Sequence, residues 1–128
     1  MTDWIWVEPE VALAAHRNQL AEHGGGDGIR DAGLFESAMA RPQNLVAYKD
    51  HDMAAVAASY AFGIARNHPF IDGNKRTAAV VSEVFLILNG CRLNASNAEV
   101  VVCVLALAGG ELSEEELADW FRTRITPV

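Results

Sequence analysis

The stretch from Asn74 to Asn89 constrains the fold more than any other part of this sequence, because it is helix-forming and apolar on every side. Its large apolar residues are Val80, Val81, Val84, Phe85, Leu86, Ile87 and Leu88. A helix that is apolar all round has to be covered all round. We therefore expect a buried central helix that the rest of the chain surrounds, with Gly90 as its C-terminal stop.

Segments with clear helix start and stop signals flank this stretch. Pro9 stands where a helix favours its first residue, Asp31 can cap a second helix, and Pro42 is expected to end it. His68 precedes a proline, which ends the third helix, and Ser113 opens a capping box for the last one. The predicted surrounding helices run from Pro9 to about Glu22, from Asp31 to Pro42, from Met53 to Asn67, from Ala98 to Ala108 and from Ser113 to Ile125.

Two short segments look extended rather than helical. Trp4 to Val7 alternates briefly and can form a minor hairpin with Cys91 to Leu93. The connector from Gln43 to His51 is too short for an independent sheet, so we expect it to cover a neighbouring site as a flap.

The length of the chain limits the number of domains. Its 128 residues are enough for one hydrophobic core and too few for two. We expect a single all-α domain over residues 1–128, in which about six helices pack around the buried central helix, with at most a minor β-hairpin.

The charge balance limits the partners. Ten lysines and arginines stand against 17 aspartates and glutamates, which gives a formal net charge of −7. Such a surface repels polyanions, so we expect no direct contact with nucleic acid. No basic N-terminal region precedes an apolar stretch, and the apolar runs stop short of membrane-spanning length. We expect a soluble, cytoplasmic protein without a membrane partner.

The residues that carry chemistry lie in the loop that enters the central helix. That helix opens with Lys75 and Arg76, although a helix N-terminus carries partial positive charge and disfavours cations. An anionic ligand removes this conflict. Free backbone N–H groups of the first turn, Gly73 for close approach and two cationic side chains together describe a phosphate cradle, and polyphosphate is its natural occupant.

Two neighbours of this cradle complete a reactive site. Asp72 is a single carboxylate beside the expected phosphates, which is the usual protein contribution to a Mg²⁺ site. His68 begins the same loop, and a neutral imidazole can accept the proton of an attacking hydroxyl. Each residue alone has an ordinary explanation as a helix end, a turn or a solvated charge. Their occurrence within nine residues of sequence favours a preorganised site for phosphoryl chemistry.

The loop resembles the motif of the Fic/Doc family, His-x-Phe-x-(Asp/Glu)-(Gly/Ala)-Asn-(Gly/Lys)-Arg. The matching residues are His68, Phe70, Asp72, Gly73, Asn74, Lys75 and Arg76. The similarity covers roughly Val7 to Thr123, including the segment from Ser37 to Pro42 and the glycine-rich turn from Gly24 to Gly28, which is expected to end the first helix. The resemblance implies a Fic-type helical bundle that uses Mg-ATP. In it His68 is the catalytic base, Asp72 holds Mg²⁺, and Gly73, Asn74, Lys75 and Arg76 hold the nucleotide.

Two positions indicate the branch of the family. Adenylyl-transferring Fic enzymes have glycine in place of Lys75 and a second arginine in place of Ala79, whereas Gly73 is a departure from Doc toward Fic. The resemblance to the Doc (death-on-curing) branch implies a toxin that phosphorylates a hydroxyl side chain of a translation protein, elongation factor Tu. It also implies that Gln43 to Lys49 pairs edge-on with an extended segment of that target.

A self-inhibitory motif of the Fic type is absent from this sequence, since no glutamate precedes a glycine or asparagine. The resemblance therefore implies a separate antitoxin whose segment folds onto this protein as a helix. Arg66 and Asn67 are additional candidates for the site, and His16, His23 and His51 are given no role. Two alternatives stay open, namely AMP transfer to a protein hydroxyl and an inactive module that only binds a partner.

Overall fold

The computed structural model describes residues 3–128, which form six helices and two short strands. The helices are α1 (Pro9–His23), α2 (Ala32–Tyr48), α3 (Met53–Asn67), α4 (Asn74–Leu88), α5 (Asn97–Ala108) and α6 (Glu114–Arg122). The strands are β1 (Cys91–Leu93) and β2 (Ile125–Pro127). The predicted all-α class, with six helices and a minor pair of strands, is confirmed. None of these helices is long and apolar enough to cross a membrane.

Helix α3, not α4, is the most enclosed element. It packs against α2, α4, α5 and α6, and most of its residues are buried. Its side chains are mainly small, which lets neighbouring helices approach closely. A Cβ on Gly63 would lie 3.2 Å from the backbone oxygen of Ala38 in α2. Helix α4 is buried on one side, but Arg76 near its start and Ile87 and Leu88 at its end are exposed. The expectation that α4 is covered on all sides is therefore wrong.

Helix α2 continues through Pro42 to Tyr48, contrary to the expectation that the proline ends it. An interior proline removes one helical hydrogen bond and costs about 3 kcal/mol in an isolated helix. Here Phe35, Ala38, Met39 and Pro42 form one buried stripe at helical spacing, and its burial offsets that cost. The predicted extended flap from Gln43 is therefore wrong. Residues 43–48 are helical, and their backbone groups are not free to pair edge-on with a target.

The strand β1 pairs antiparallel with β2, with Arg92 opposite Thr126. The predicted hairpin between β1 and Trp4 to Val7 is wrong, and the predicted last helix ends at Arg122, before Ile125 enters β2. The chain immediately after α6 supplies the backbone partner that β1 needs, because it returns beside β1 within a few residues.

The N-terminal segment is held by side chains instead of by a strand. The side-chain amide of Asn89 accepts a hydrogen bond from the N–H of Ile5 at 2.9 Å and donates one to the carbonyl oxygen of Ile5 at 3.0 Å. The N–H of Val7 donates to the hydroxyl of Tyr60 at 3.0 Å. Burial raises the pKa of Tyr60 to about 12, so this hydroxyl stays neutral and anchors the segment to α3.

Candidate active site

The loop between α3 and α4 begins with a residue in an unusual backbone conformation. His68 directly follows α3 and has φ 53° and ψ 54°, in the left-handed region. Among residues 3–128 it is the only residue other than glycine with a positive φ. This conformation costs about 1–2 kcal/mol for a residue with a Cβ, so surrounding contacts have to hold it.

The side chain of Arg30 supplies two of these contacts. Its Nε donates to the carbonyl oxygen of His68 at 2.7 Å, and its Nη2 donates to the carbonyl oxygen of Asn67 at 2.9 Å. These carbonyls lie at the C-terminal end of α3, where a cation is favoured by the helix dipole. Arg30 therefore stabilises the end of the helix and fixes the backbone of His68 at once.

The backbone around Arg30 pairs with the same loop. The N–H groups of Arg30 and Asp31 donate to the carbonyl oxygen of Pro69 at 2.6 and 3.1 Å. The N–H of Ile71 donates to the carbonyl oxygen of Gly28 at 3.1 Å. The segment after the glycine-rich turn thus acts as a neighbouring strand for the first half of the loop.

Asn74 closes the loop from its other end. Its side-chain amide accepts a hydrogen bond from the N–H of Phe70 and donates one to the carbonyl oxygen of Phe70, both at 2.9 Å. Phe70 is fully buried and Asn74 almost so. The amide of Asn74 is therefore used within the protein, and the part of Asn74 that is left for a ligand is its backbone N–H at the start of α4.

The glycine-rich turn wraps around Asp72. The N–H of Gly26 donates to Oδ2 of Asp72 at 2.6 Å. A Cβ on Gly26 would lie 3.1 Å from this oxygen, and a Cβ on Gly25 would lie 3.0 Å from the Cβ of Asp72. The close approach therefore requires glycine at these two positions, which the sequence alone indicates only as a helix stop.

His16 of α1, to which the sequence assigned no role, lies beneath the loop and is only 3% exposed. Its Nε2 lies 2.8 Å from the carbonyl oxygen of Asp72, and its ring stacks on Phe70 with the centroids 3.8 Å apart. One signal in the sequence could have found it. Ala12, Ala15, His16 and Gln19 have the spacing of a single helix face, and all four are buried.

All six predicted site residues line one cavity of about 220 Å³ at the start of α4. They are His68, Asp72, Gly73, Asn74, Lys75 and Arg76. Val101 and Leu105 of α5 form the opposite wall, which the sequence did not reveal. A second cavity of about 410 Å³ shares His68, Lys75 and Leu105 with the first and adds Arg66. His68 therefore lies where the two cavities meet, whereas Asn67 lines neither of them.

The cavity is cationic in a protein with a net charge of −7. Within residues 3–128, neither Lys75 nor Arg76 has a carboxylate partner at salt-bridge distance, whereas Arg41 has one and Arg122 has two. Arg66 lies over the ring of Phe62 at 5.3 Å and also lacks a carboxylate partner in this part of the chain. Cations without partners at a helix N-terminus favour an anionic ligand.

The donor set fits a metal ion that arrives with phosphates. The described residues contain no group of three or more histidine, cysteine, aspartate or glutamate side chains that could hold a metal. Asp72 is the one carboxylate that lines the cavity. Mg²⁺ is often bound by one or two carboxylates, with phosphate oxygens and waters as its other ligands. Asp72 together with a bound polyphosphate could therefore hold Mg²⁺, which Asp72 alone could not.

Comparison with known proteins gives consistent matches. The sequence pattern of the Fic/DOC family matches residues 6–86, which include the whole loop. The chain is 36% identical over 117 residues to "Protein kinase doc" of Escherichia phage P1, covering 91% of this chain and 92% of that protein. It is 43% identical over 74 residues to "Toxin Doc" of Mycolicibacterium smegmatis, covering 56% of this chain and 57% of that protein.

Proposed function

Because this chain belongs to the Fic/DOC family, we propose that it is a Doc-like toxin that transfers the γ-phosphoryl group of Mg-ATP to a hydroxyl side chain of a translation protein. Elongation factor Tu is the target that the family relation suggests. The proposed protein is the toxin of a toxin–antitoxin pair and acts in the cytoplasm. The similarity to a protein named as a kinase over nine-tenths of both chains supports this activity over other Fic reactions.

One observation carries the proposal. The proposed base, the carboxylate and two cations that have no carboxylate partner within residues 3–128 line the same small cavity. His68 accepts the proton of the target hydroxyl. Asp72 holds the metal ion, while Lys75, Arg76 and the first N–H groups of α4 bind phosphate oxygens. Mg-ATP, when bound, would supply the phosphoryl group, and its metal ion would neutralise negative charge on the phosphate oxygens. Most of the rate enhancement then comes from position and charge.

Two positions favour phosphoryl transfer over AMP transfer. Lys75 lines the cavity and fills space that a glycine would leave open for a β-phosphate. Ala79, where adenylylating relatives have an arginine, is fully buried in α4. An arginine there could not be placed without disturbing the core, so this chain has no place for the second phosphate-binding cation of the adenylylating branch.

The test compares label transfer from α-labelled and γ-labelled ATP, using a bacterial extract and purified elongation factor Tu as acceptors. We expect transfer of the γ-label by the wild type and none by folded His68→Ala. Transfer of the α-label would replace kinase activity with AMP transfer. If neither label is transferred but the protein still binds a protein from the extract, an inactive binding module is favoured. γ-Label on a different protein of the extract would refute only the proposed target.

A second test addresses the biological role. We expect growth arrest when the wild type is expressed alone, and rescue when a neighbouring reading frame that encodes the antitoxin is expressed with it. His68→Ala should not arrest growth. Equal toxicity of the wild type and the folded variant would exclude a catalytic cause of the arrest.

A further inference from the structure

We propose that His16 is a positioning residue, whose Nε2–H fixes the carbonyl oxygen of Asp72 and thereby aims the carboxylate of Asp72 at the metal ion. The inference rests on the proposed role of Asp72 as the magnesium ligand. It concerns a residue outside the loop, on a helix that contributes nothing to the lining of the cavity.

The first step concerns the contact itself. Nε2 of His16 lies 2.8 Å from the carbonyl oxygen of Asp72. A carbonyl oxygen can only accept a hydrogen bond, so Nε2 has to carry the hydrogen. The ring is held flat against Phe70, with an angle of 8° between the two planes. The donor therefore points at Asp72 with little freedom to turn away.

The second step concerns the other end of Asp72. The N–H of Gly26 holds Oδ2 of the carboxylate at 2.6 Å, while His16 holds the backbone oxygen of the same residue. Among the described residues, Oδ1 of Asp72 has no hydrogen-bond partner, which leaves it for a ligand. One residue is thus fixed at two points by α1 and by the turn that follows α1.

The third step concerns what else could hold Asp72. Ile71 and Asp72 are both exposed, so packing gives this part of the loop little support. Gly73 has φ +81°, and a Cβ there would lie 3.5 Å from Cδ2 of His16. The imidazole edge therefore also faces Gly73, the residue just before α4. Hydrogen bonds, more than buried area, fix the direction of the carboxylate.

Two variants separate the hydrogen bond from simple packing. His16→Gln keeps an N–H donor at similar reach but lacks the flat ring. His16→Phe keeps a ring that can stack on Phe70 but lacks the donor. If the hydrogen bond positions Asp72, the glutamine variant resembles the wild type. If His16 only packs in the core, the phenylalanine variant resembles the wild type instead.

The measurement is the affinity for Mn²⁺, used as a paramagnetic substitute for Mg²⁺, in the presence of a non-hydrolysable ATP analogue. Loss of a group that orients a metal ligand typically lowers metal affinity about 10-fold or more, and we expect this for His16→Phe. His16→Gln should stay within about threefold of the wild type. Affinity for the analogue without metal should be unchanged in both. Thermal unfolding identifies variants that do not fold, and His16→Met is a second variant without a donor.

Wild-type Mn²⁺ affinity in folded His16→Phe or His16→Met would overturn the proposal. Equal losses in His16→Gln and His16→Phe would overturn it as well, because packing would then explain both. Asp72→Asn distinguishes this failure from failure of the proposed function. If Asp72→Asn keeps wild-type Mn²⁺ affinity, Asp72 is not the ligand. If it loses affinity while His16→Phe does not, only the role of His16 is refuted.

Discussion

Arg30 holds the backbone of His68 from a different part of the chain, with its Nε 2.7 Å from the carbonyl oxygen of the histidine. The contact lies on the residue with the strained left-handed conformation, which carries the proposed base. The strain and the contact that maintains it are therefore found together at the site, as is common where a side chain must be held in one direction.

Replacing Arg30 tests this relationship. Arg30→Lys keeps the charge but cannot make both hydrogen bonds of the guanidinium. We expect kcat for phosphoryl transfer to fall about 10-fold, and further in Arg30→Ala, because a displaced base loses reactive geometry. KM for ATP should change little. Arg17→Lys is the matched control, since Arg17 is an exposed cation of α1. Wild-type kcat in Arg30→Ala would show that the loop holds His68 without Arg30.

Lys75 is the residue that we propose favours phosphoryl transfer over AMP transfer. Lys75→Gly opens space for a β-phosphate and removes a cation from the cavity. The rate of γ-phosphoryl transfer should therefore fall about 10²-fold or more, the effect of losing one preorganised charge near the transition state. Transfer of α-label should stay weak, because the variant still has the buried Ala79 at the position where adenylylating relatives have an arginine. The assay measures both labels for the wild type and the variant. Retention of full γ-label transfer would mean that Lys75 contributes no essential phosphate contact.

Gly26→Ala tests the turn that holds the carboxylate. The new Cβ would lie 3.1 Å from Oδ2 of Asp72 and from Cγ2 of Ile71, so the carboxylate has to move. We expect the Mg²⁺ concentration for half-maximal activity to rise about 10-fold, with little change in the unfolding temperature. Gly33→Ala is the control, because its new Cβ would make only an ordinary contact 3.4 Å from Asp31. Unchanged Mg²⁺ dependence in Gly26→Ala would argue against the tether.

Glu83 of α4 gives a prediction about stability and pH. Burial raises the pKa of Glu83, and its Oε1 is buried without a hydrogen-bond partner among the described residues. The folded state therefore opposes ionisation, and stability is lost as pH rises above the unfolded pKa of about 4.3. Glu83→Gln should stabilise the protein by about 1 kcal/mol at pH 7 and by nothing at pH 3. Denaturant unfolding at both pH values measures this.

The exposed Glu36 of α2 supplies the control for that experiment. Glu36→Gln should change the free energy of unfolding little at either pH, because substitutions of exposed side chains usually change stability little. A gain at pH 3 as large as that at pH 7 would show that ionisation of Glu83 is not the cause of the effect.

The sequence predicted helix ends correctly where one residue type caps or stops a helix. Asp31 and Ser113 cap α2 and α6 as expected, and α3 ends at Asn67, just before His68-Pro69. The predicted site residues line one cavity for a similar reason. They lie within nine consecutive positions, so closeness in sequence brings them together, and contacts from Arg30, Gly26 and His16 then hold the loop.

The errors arose where tertiary contacts outweigh local preference. Pro42 is an adverse residue for a helix interior, but its place in a buried stripe decides the outcome. The partner of β1 depends on where the chain runs after α6, which no local pattern records. The sequence did not reveal the contact of His16 with Asp72, because Asp72 lies more than fifty residues further along the chain.

The glycine-rich turn has a consequence for genetics. Every single-base change that replaces a glycine codon with that of another amino acid adds a Cβ. At Gly25 or Gly26 that atom would press against Asp72. If the protein arrests growth, cells that survive its expression should carry substitutions at these two glycines as well as in the loop, although neither glycine touches the cavity. Toxicity can therefore be lost at more positions than those that line the cavity.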